Sequence, residues 1–150
     1  MEYIPLGQTG IKVSQLCFGT MSFGGVADEK TSVEMFHRCR EAGINFFDSA
    51  NSYSQGKSEK ILGKLIADCR DEVIINSKVF DQMGKGINAR GSSRRNISLS
   101  IDATLKRLKT DYLDVYFLHQ FDYETPIEQT LRVLDDLVKS GKILYIGASN

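Results

Sequence analysis

A carboxylate, a phenol, an ammonium and an imidazole stand where the chain's apolar runs end: Asp48, Tyr53, Lys78 and His119. Asp48 closes the run Asn45-Phe46-Phe47-Asp48, and Tyr53 lies in the loop after it. Lys78 closes the run that starts at Val73, and His119 closes Val115-Tyr116-Phe117-Leu118. Parallel neighbouring strands would bring all four side chains to one rim of a sheet. Such a rim is a proton-donating site. A neutral tyrosine is a poor acid near pH 7. A nearby ammonium stabilises the phenolate left behind, and a carboxylate keeps the ammonium charged and oriented. An imidazole can hydrogen-bond a carbonyl oxygen and hold it near the phenol. Together these groups would protonate a developing alkoxide. The carbonyl carbon would still need a hydride, which side chains do not supply, so a nicotinamide cofactor is implied.

Taken singly, each residue has an ordinary alternative. Asp48 suits a turn, Lys78 a solvated stem, Tyr53 a polar loop, and His119 a satisfied core position. The joint placement at parallel strand ends favours the site.

The elements that must position them alternate regularly. Residues 3–15 read as a hairpin turning at Gly7-Gln8-Thr9-Gly10. Leu16-Cys17-Phe18-Gly19-Thr20 reads as a first buried strand. Strands follow near 45–48, 73–77, 113–118 and 143–147, each without polar alternation, as in a parallel sheet covered on both faces. Helix one spans about 28–42, with Val33, Phe36 and Cys39 on its stripe and Gly43 as its stop. Helix two carries Ile61, Leu62, Leu65, Ile66 and Cys69 on one face. Helix three starts near Ser93 and buries Ile97, Ile101, Leu105 and Leu108. Helix four has a capping signature: Thr125 as N-cap, Pro126 at the first helical position and Glu128 completing a capping box. Its expected apolar face is Ile127, Leu131, Leu134 and Val138, and Gly141 ends it.

Repeated strand–helix units give either an open doubly wound sheet or a (β/α)8 barrel. Five units and 150 residues suit the open sheet; a barrel needs eight and typically about 250 residues. The nucleotide signals of open sheets are missing, however. Gly19-Thr20-Met21-Ser22-Phe23-Gly24-Gly25 lacks the Lys-Ser/Thr of a P-loop, and GxGxxG occurs nowhere.

Composition bounds the partners. Lys+Arg and Asp+Glu are equal at 19 each, so no strong field favours nucleic acid or an anionic membrane. No apolar run approaches a membrane span of about 18 residues, and the N-terminus lacks a signal-peptide layout. Cys17, Cys39 and Cys69 are odd in number and form no CxxC pair, which fits a reducing cytoplasmic setting and packing roles. His37 and Cys39 are too close on one helix to make a metal site, and Asn96-Ile97-Ser98 reads as a chance sequon.

With these residues in view, the chain resembles the aldo-keto reductases. The segment Gly43-Ile44-Asn45-Phe46-Phe47-Asp48-Ser49-Ala50-Asn51-Ser52-Tyr53 is similar to the family's G-x-x-x-x-D-T-A-x-x-Y signature. Ser49 replaces the usual threonine, and Ser54 the glycine often found after the tyrosine. Ser77-Lys78 resembles the family's T-K, and the 111–119 stretch its D-Y-x-D-x-Y-x-x-H strand. The 141–150 stretch is similar to G-K-x-R-x-I-G-x-S-N, and the Arg90–Arg94 loop resembles general-stress reductases and potassium-channel β-subunits.

The resemblance implies a single (β/α)8 TIM-barrel-type domain over 1–150, here an N-terminal portion with a hairpin, five parallel strands and four helices. It implies NADPH-dependent reduction of aldehydes or ketones. Tyr53 would be the general acid, Lys78 its phenolate-stabilising partner, Asp48 the partner of Lys78, and His119 the orienter of the carbonyl. Gly19, Thr20, Met21 and Asp48 would line the cofactor, and Ser149 and Asn150 would hold the nicotinamide carboxamide. The resemblance also implies that strands six to eight, with most cofactor contacts, belong beyond residue 150. A truncated chain would then bind NADPH far more weakly than a longer relative, and would cover its open sheet edges by self-association. The alternative function is a catalytically inactive fragment, or a cofactor-sensing or partner-binding module of the same fold.

Overall fold

A computed structural model describes residues 1–149. The chain opens with an antiparallel hairpin, β1 (Tyr3–Pro5) and β2 (Lys12–Ser14). Five strands then form one parallel sheet: β3 (Cys17–Gly19), β4 (Phe46–Asp48), β5 (Ile74–Val79), β6 (Leu113–Leu118) and β7 (Ile143–Ala148). Their spatial order equals their chain order, so every crossover steps to the next strand. Four α-helices fill the crossovers: α1 (Glu29–Glu41), α2 (Lys57–Leu65), α3 (Arg94–Leu108) and α4 (Ile127–Lys139).

The helices start where side chains can serve their first amide groups. Asp28 caps α1 by accepting from the Thr31 amide at 2.8 Å, and Ser93 caps α3 by accepting from Asn96 at 3.2 Å. One layer of core joins helices to sheet. Phe47, Leu62, Ile75, Ile97, Leu108 and Leu113 are all fully buried there. Helices α2 and α3 approach so closely that a Cβ on Gly63 would lie 2.5 Å from the Arg107 carbonyl oxygen. A buried ion pair pins the same two helices. Glu59, fully buried on α2, binds Arg107 of α3 and accepts from the Ser77 hydroxyl of β5 at 2.6 Å.

Charged residues flanking the motif strands serve the frame. Asp114 on β6 accepts from Arg70 at 2.8 Å and from the Ile75 amide of β5 at 2.9 Å. The Arg70 guanidinium also lies 4.0 Å from the ring centre of Tyr112. The hairpin is tied to the sheet at both ends of the chain. Tyr3 donates to the Gly43 carbonyl at 2.8 Å, and Tyr145 of β7 donates to the Thr9 carbonyl at 2.9 Å. Asn96, of the sequon-like triplet, is buried and donates to the Gly91 carbonyl at 2.8 Å, so its amide is committed within the fold.

Several sequence expectations need correction. The first parallel strand is not buried: β3 is an edge strand, with Cys17 exposed and Leu16 59% exposed. Covering on both faces holds for the central strands β5 and β6 only; on β7, the other edge, Ile143 is buried and the following residues alternate exposed and half-buried. Helix α2 ends at Leu65, so Cys69 lies beyond it. The capping box of α4 does not form. Pro126 is the N-cap, and no side chain caps the helix. The Thr125 hydroxyl donates instead to Asp122, which also binds the amides of Ser92 and Glu124. The buried face of α4 is Thr130, Val133, Leu134 and Leu137, whereas Ile127 and Leu131 are exposed. That helix packs on α3 and on β7. No described helix is long and apolar enough to cross a membrane.

Candidate active site

Parallel register delivers the four residues together. Asp48 ends β4 and Gly19 of β3 lies opposite it in register. Lys78 is the last residue but one of β5 and pairs in register with Phe117 of β6. His119 follows β6 directly, and its amide donates to the Val79 carbonyl at 3.0 Å. Tyr53 opens a short 3₁₀ turn after β4.

Lys78 is the centre of this cluster, and its side chain is only 9% exposed. Burying an ammonium is costly unless its donors are satisfied. An ammonium has three N–H donors and no acceptor. Lys78 Nζ donates to Asp48 Oδ2 at 2.6 Å, to the Ser49 carbonyl at 2.8 Å and to the Tyr53 hydroxyl oxygen at 3.1 Å. All three donors are thus used. The second Asp48 oxygen accepts from Asn76 Nδ2 of β5 at 2.6 Å, which fixes the carboxylate. Tyr53 and His119 meet edge-on, with ring centres 6.1 Å apart and planes at 79°. The Lys78 ammonium lies 4.8 Å from the Tyr53 ring centre.

The loop carrying Tyr53 is held under strain. Ser54 and Gln55 adopt left-handed φ values of 48° and 54°, a region that costs a non-glycine residue about 1–2 kcal/mol. Ser54 is the position at which the sequence departs from a familiar glycine. Behind the loop, buried Ser58 joins the hydroxyls of Thr20 at 2.8 Å and Ser49 at 3.3 Å.

The cysteine on β3 feels this cluster. Burial pushes the Cys17 thiol up to about 11; the Asp48 carboxylate adds to the rise and Lys78 opposes it. Cys17 is nonetheless exposed on the edge strand β3, so solvent still reaches the residue.

The expected cofactor-lining residues divide. Gly19 is exposed, and a Cβ there would meet nothing within 4 Å, so the sheet is open beside Asp48. Met21 is 69% exposed at the same mouth. Thr20 is fully buried, its hydroxyl donating to the Asp48 carbonyl at 3.0 Å, so its side chain faces the frame rather than the mouth. Ser149 follows β7 and its amide donates to the Leu118 carbonyl at 3.0 Å, which places it beside His119. Asn150 lies outside the described residues. The sheet is thus open at Gly19, and a polar residue, Ser149, follows β7.

Two neighbours of the cluster escaped the sequence reading. Asn76 sits inside an apolar run and orients Asp48. Asp81, in the loop after β5, accepts from Ser52 and Gln120, the residues next to Tyr53 and His119. A carboxylate in a polar loop gives no signal that separates it from a turn residue.

A model of the Aldo/keto reductase family matches residues 15–150. The chain belongs to the aldo/keto reductase family. It is 39% identical to a probable voltage-gated potassium channel subunit beta of Oryza sativa subsp. japonica, over 99% of this chain and 46% of that protein. It is also 39% identical to the aldo-keto reductase YhdN of Bacillus subtilis, over 100% of this chain and 47% of that protein. Among solved structures it superimposes on the aldo-keto reductase AKR11C1 from Bacillus halodurans (holo form) with a TM-score of 0.91. That match has 34% identity and covers 99% of this chain and 50% of the other. The chain therefore spans about half the length of the relatives it matches. The five parallel strands and four helices are the corresponding portion of a TIM barrel. The choice left open by strand count alone falls to the barrel family.

Proposed function

We propose that this aldo/keto reductase chain carries the acid half of an NADPH-dependent reduction of aldehydes or ketones. One observation carries the reading: the buried Lys78 ammonium spends its third N–H on the Tyr53 oxygen, 3.1 Å away. Lysine has no lone pair, so Tyr53 is the acceptor there and its own O–H points away from Lys78. That proton is poised for a carbonyl oxygen at the rim. As it leaves, the ammonium stabilises the phenolate, and Asp48 holds the ammonium in place. His119, edge-on to Tyr53, orients the carbonyl oxygen. Gly19, Met21, Asp48 and Ser149 would hold the nicotinamide end of the cofactor, with Asn150 the family's further candidate. NADPH, when bound, supplies the hydride.

A partner-binding reading is favoured by a different observation. Leu144 and Ile146 on β7, and Ile127 and Leu131 on α4, are each over 40% exposed. The similarity to a probable channel subunit beta supports such a role as a second reading.

The test follows NADPH by its own fluorescence and absorbance in the presence of a panel of aldehydes and ketones. Carbonyl-dependent loss of the cofactor signal is expected. Tyr53→Phe should abolish that loss while cofactor binding persists. Equal loss of turnover and of binding would show that Tyr53 is structural and would sink the acid assignment.

A further inference from the structure

Asp81 lies outside the tetrad, yet it touches both of the loops that carry it. Its Oδ2 accepts from the Ser52 hydroxyl at 2.7 Å, and its Oδ1 accepts from Gln120 Nε2 at 2.9 Å. Ser52 precedes Tyr53 and Gln120 follows His119. Asp81 Oδ2 also lies 3.4 Å from Nδ1 of His119. One side chain thus bonds to the phenol loop and the imidazole loop and stands beside the imidazole itself.

We propose that Asp81 is a positioning residue that fixes the tautomer of His119, holding a proton on Nδ1. Its geometry stands alone, and its meaning for turnover rests on the reductase reading. A carboxylate only accepts hydrogen bonds. A bare Nδ1 would set its lone pair against that carboxylate, whereas Nδ1–H points a donor at it. The 3.4 Å span exceeds the roughly 2.7–3.2 Å of a formed N–H···O bond. Site hydrogen bonds of this kind tighten when substrate binds. Two donors, from Ser52 and Gln120, hold the carboxylate so that it faces the ring.

The tautomer has a chemical consequence. With one proton on Nδ1, the other ring nitrogen carries hydrogen only in the imidazolium. His119 then holds a carbonyl oxygen as a cation, with Asp81 as its counter-charge, and not as a neutral donor. Fixing a ring nitrogen's proton through the opposite nitrogen is how carboxylates orient histidines elsewhere.

Long-range ¹H–¹⁵N spectra of the labelled 150-residue chain read the tautomer without any turnover. His37→Gln assigns the signals, because the chain has two histidines. With the ring neutral, His119 is expected to show an N–H-type shift at Nδ1 and a lone-pair-type shift at Nε2. Asp81→Ala is expected to lose that pattern in favour of Nε2–H. Ser52→Ala, which leaves the ring contact intact, is expected to keep it. An Nε2–H tautomer in the unmutated chain would overturn the proposal, and so would an Asp81→Ala spectrum unchanged from it. If Asp81→Ala fails to fold, the unmutated spectrum alone decides. NADPH oxidation is followed on the same samples. Its absence beside an Nδ1–H ring would count against the reductase reading while supporting the role of Asp81.

Discussion

Lys78 and Tyr53 share a single hydrogen bond of 3.1 Å in which the phenol oxygen is the acceptor. The bond fixes the direction of the phenol proton as well as the position of the ring. On the reductase reading, Lys78→Met removes the charge that stabilises the phenolate but keeps a similar volume. Carbonyl-dependent NADPH oxidation should fall by about 10²-fold or more, the usual scale for losing acid catalysis. Initial rates with a reactive aldehyde check this. A rate within a few-fold of the unmutated chain would remove Lys78 from the chemistry.

Ser54 sits at a φ of 48°, where glycine bears no Cβ penalty. Ser54→Gly should therefore raise stability by about 1 kcal/mol, less the extra freedom glycine gains in the unfolded chain. Urea unfolding midpoints measure the change. A lower midpoint would mean that the Ser54 hydroxyl contributes more than the strain costs.

The thiols should be sluggish. Burial is the largest cause raising each of Cys17, Cys39 and Cys69, and Cys17 reaches about 11 from an ordinary 9.0. A rise of that size lowers the thiolate fraction of Cys17 by about 100-fold at neutral pH, since the thiolate is the reactive form. Iodoacetamide labelling followed by peptide mass mapping should find Cys17 modified last. Its rate should climb with pH until the medium approaches that raised value. Asp48→Asn should speed labelling, because it removes a charge that opposes the thiolate.

Two buried residues should respond in opposite senses. Tyr116 is fully buried with a hydroxyl that meets no hydrogen-bond partner among the described residues. Burial, reinforced by the charge of Glu59, keeps that hydroxyl well above its ordinary range and so protonated. Tyr116→Phe should leave stability unchanged or raise it by about 1 kcal/mol. Glu59→Ala strands Arg107 and frees Ser77, and should cost about 3–5 kcal/mol. Thermal melts of both variants test the pair.

The tetrad was legible in the sequence because Asp48 and His119 each close an apolar run and Lys78 follows one, two polar residues after Ile75. Parallel register then brings such ends to one rim. Helices α1 and α3 were legible from Asp28 and Ser93, whose caps form as their local sequence suggests. Helix α4 misled for a physical reason: Asp122 competes for the Thr125 hydroxyl, and long-range loop geometry won over the local signature. Glu59 escaped notice because Lys57-Ser58-Glu59-Lys60 reads as a solvated helix face. Its burial follows from Arg107, which lies 48 residues away. Asp81 was hidden for the same reason, since its partners Ser52 and Gln120 lie 29 and 39 residues away.

The bond from Tyr145 to the Thr9 carbonyl joins positions 136 residues apart. Closing so long a loop is entropically slow, and the gain comes only once both ends are in place. The hairpin therefore cannot complete its docking until β7 has emerged from the ribosome. Until then it is held only on one side, through Tyr3 to Gly43 and through Ser14 and Lys12 to Asn45, and a two-stranded ribbon is marginally stable by itself in water. Assembly at this end of the molecule thus finishes long after its synthesis, and a ribosome stalled before β7 would leave the hairpin docked on one side only.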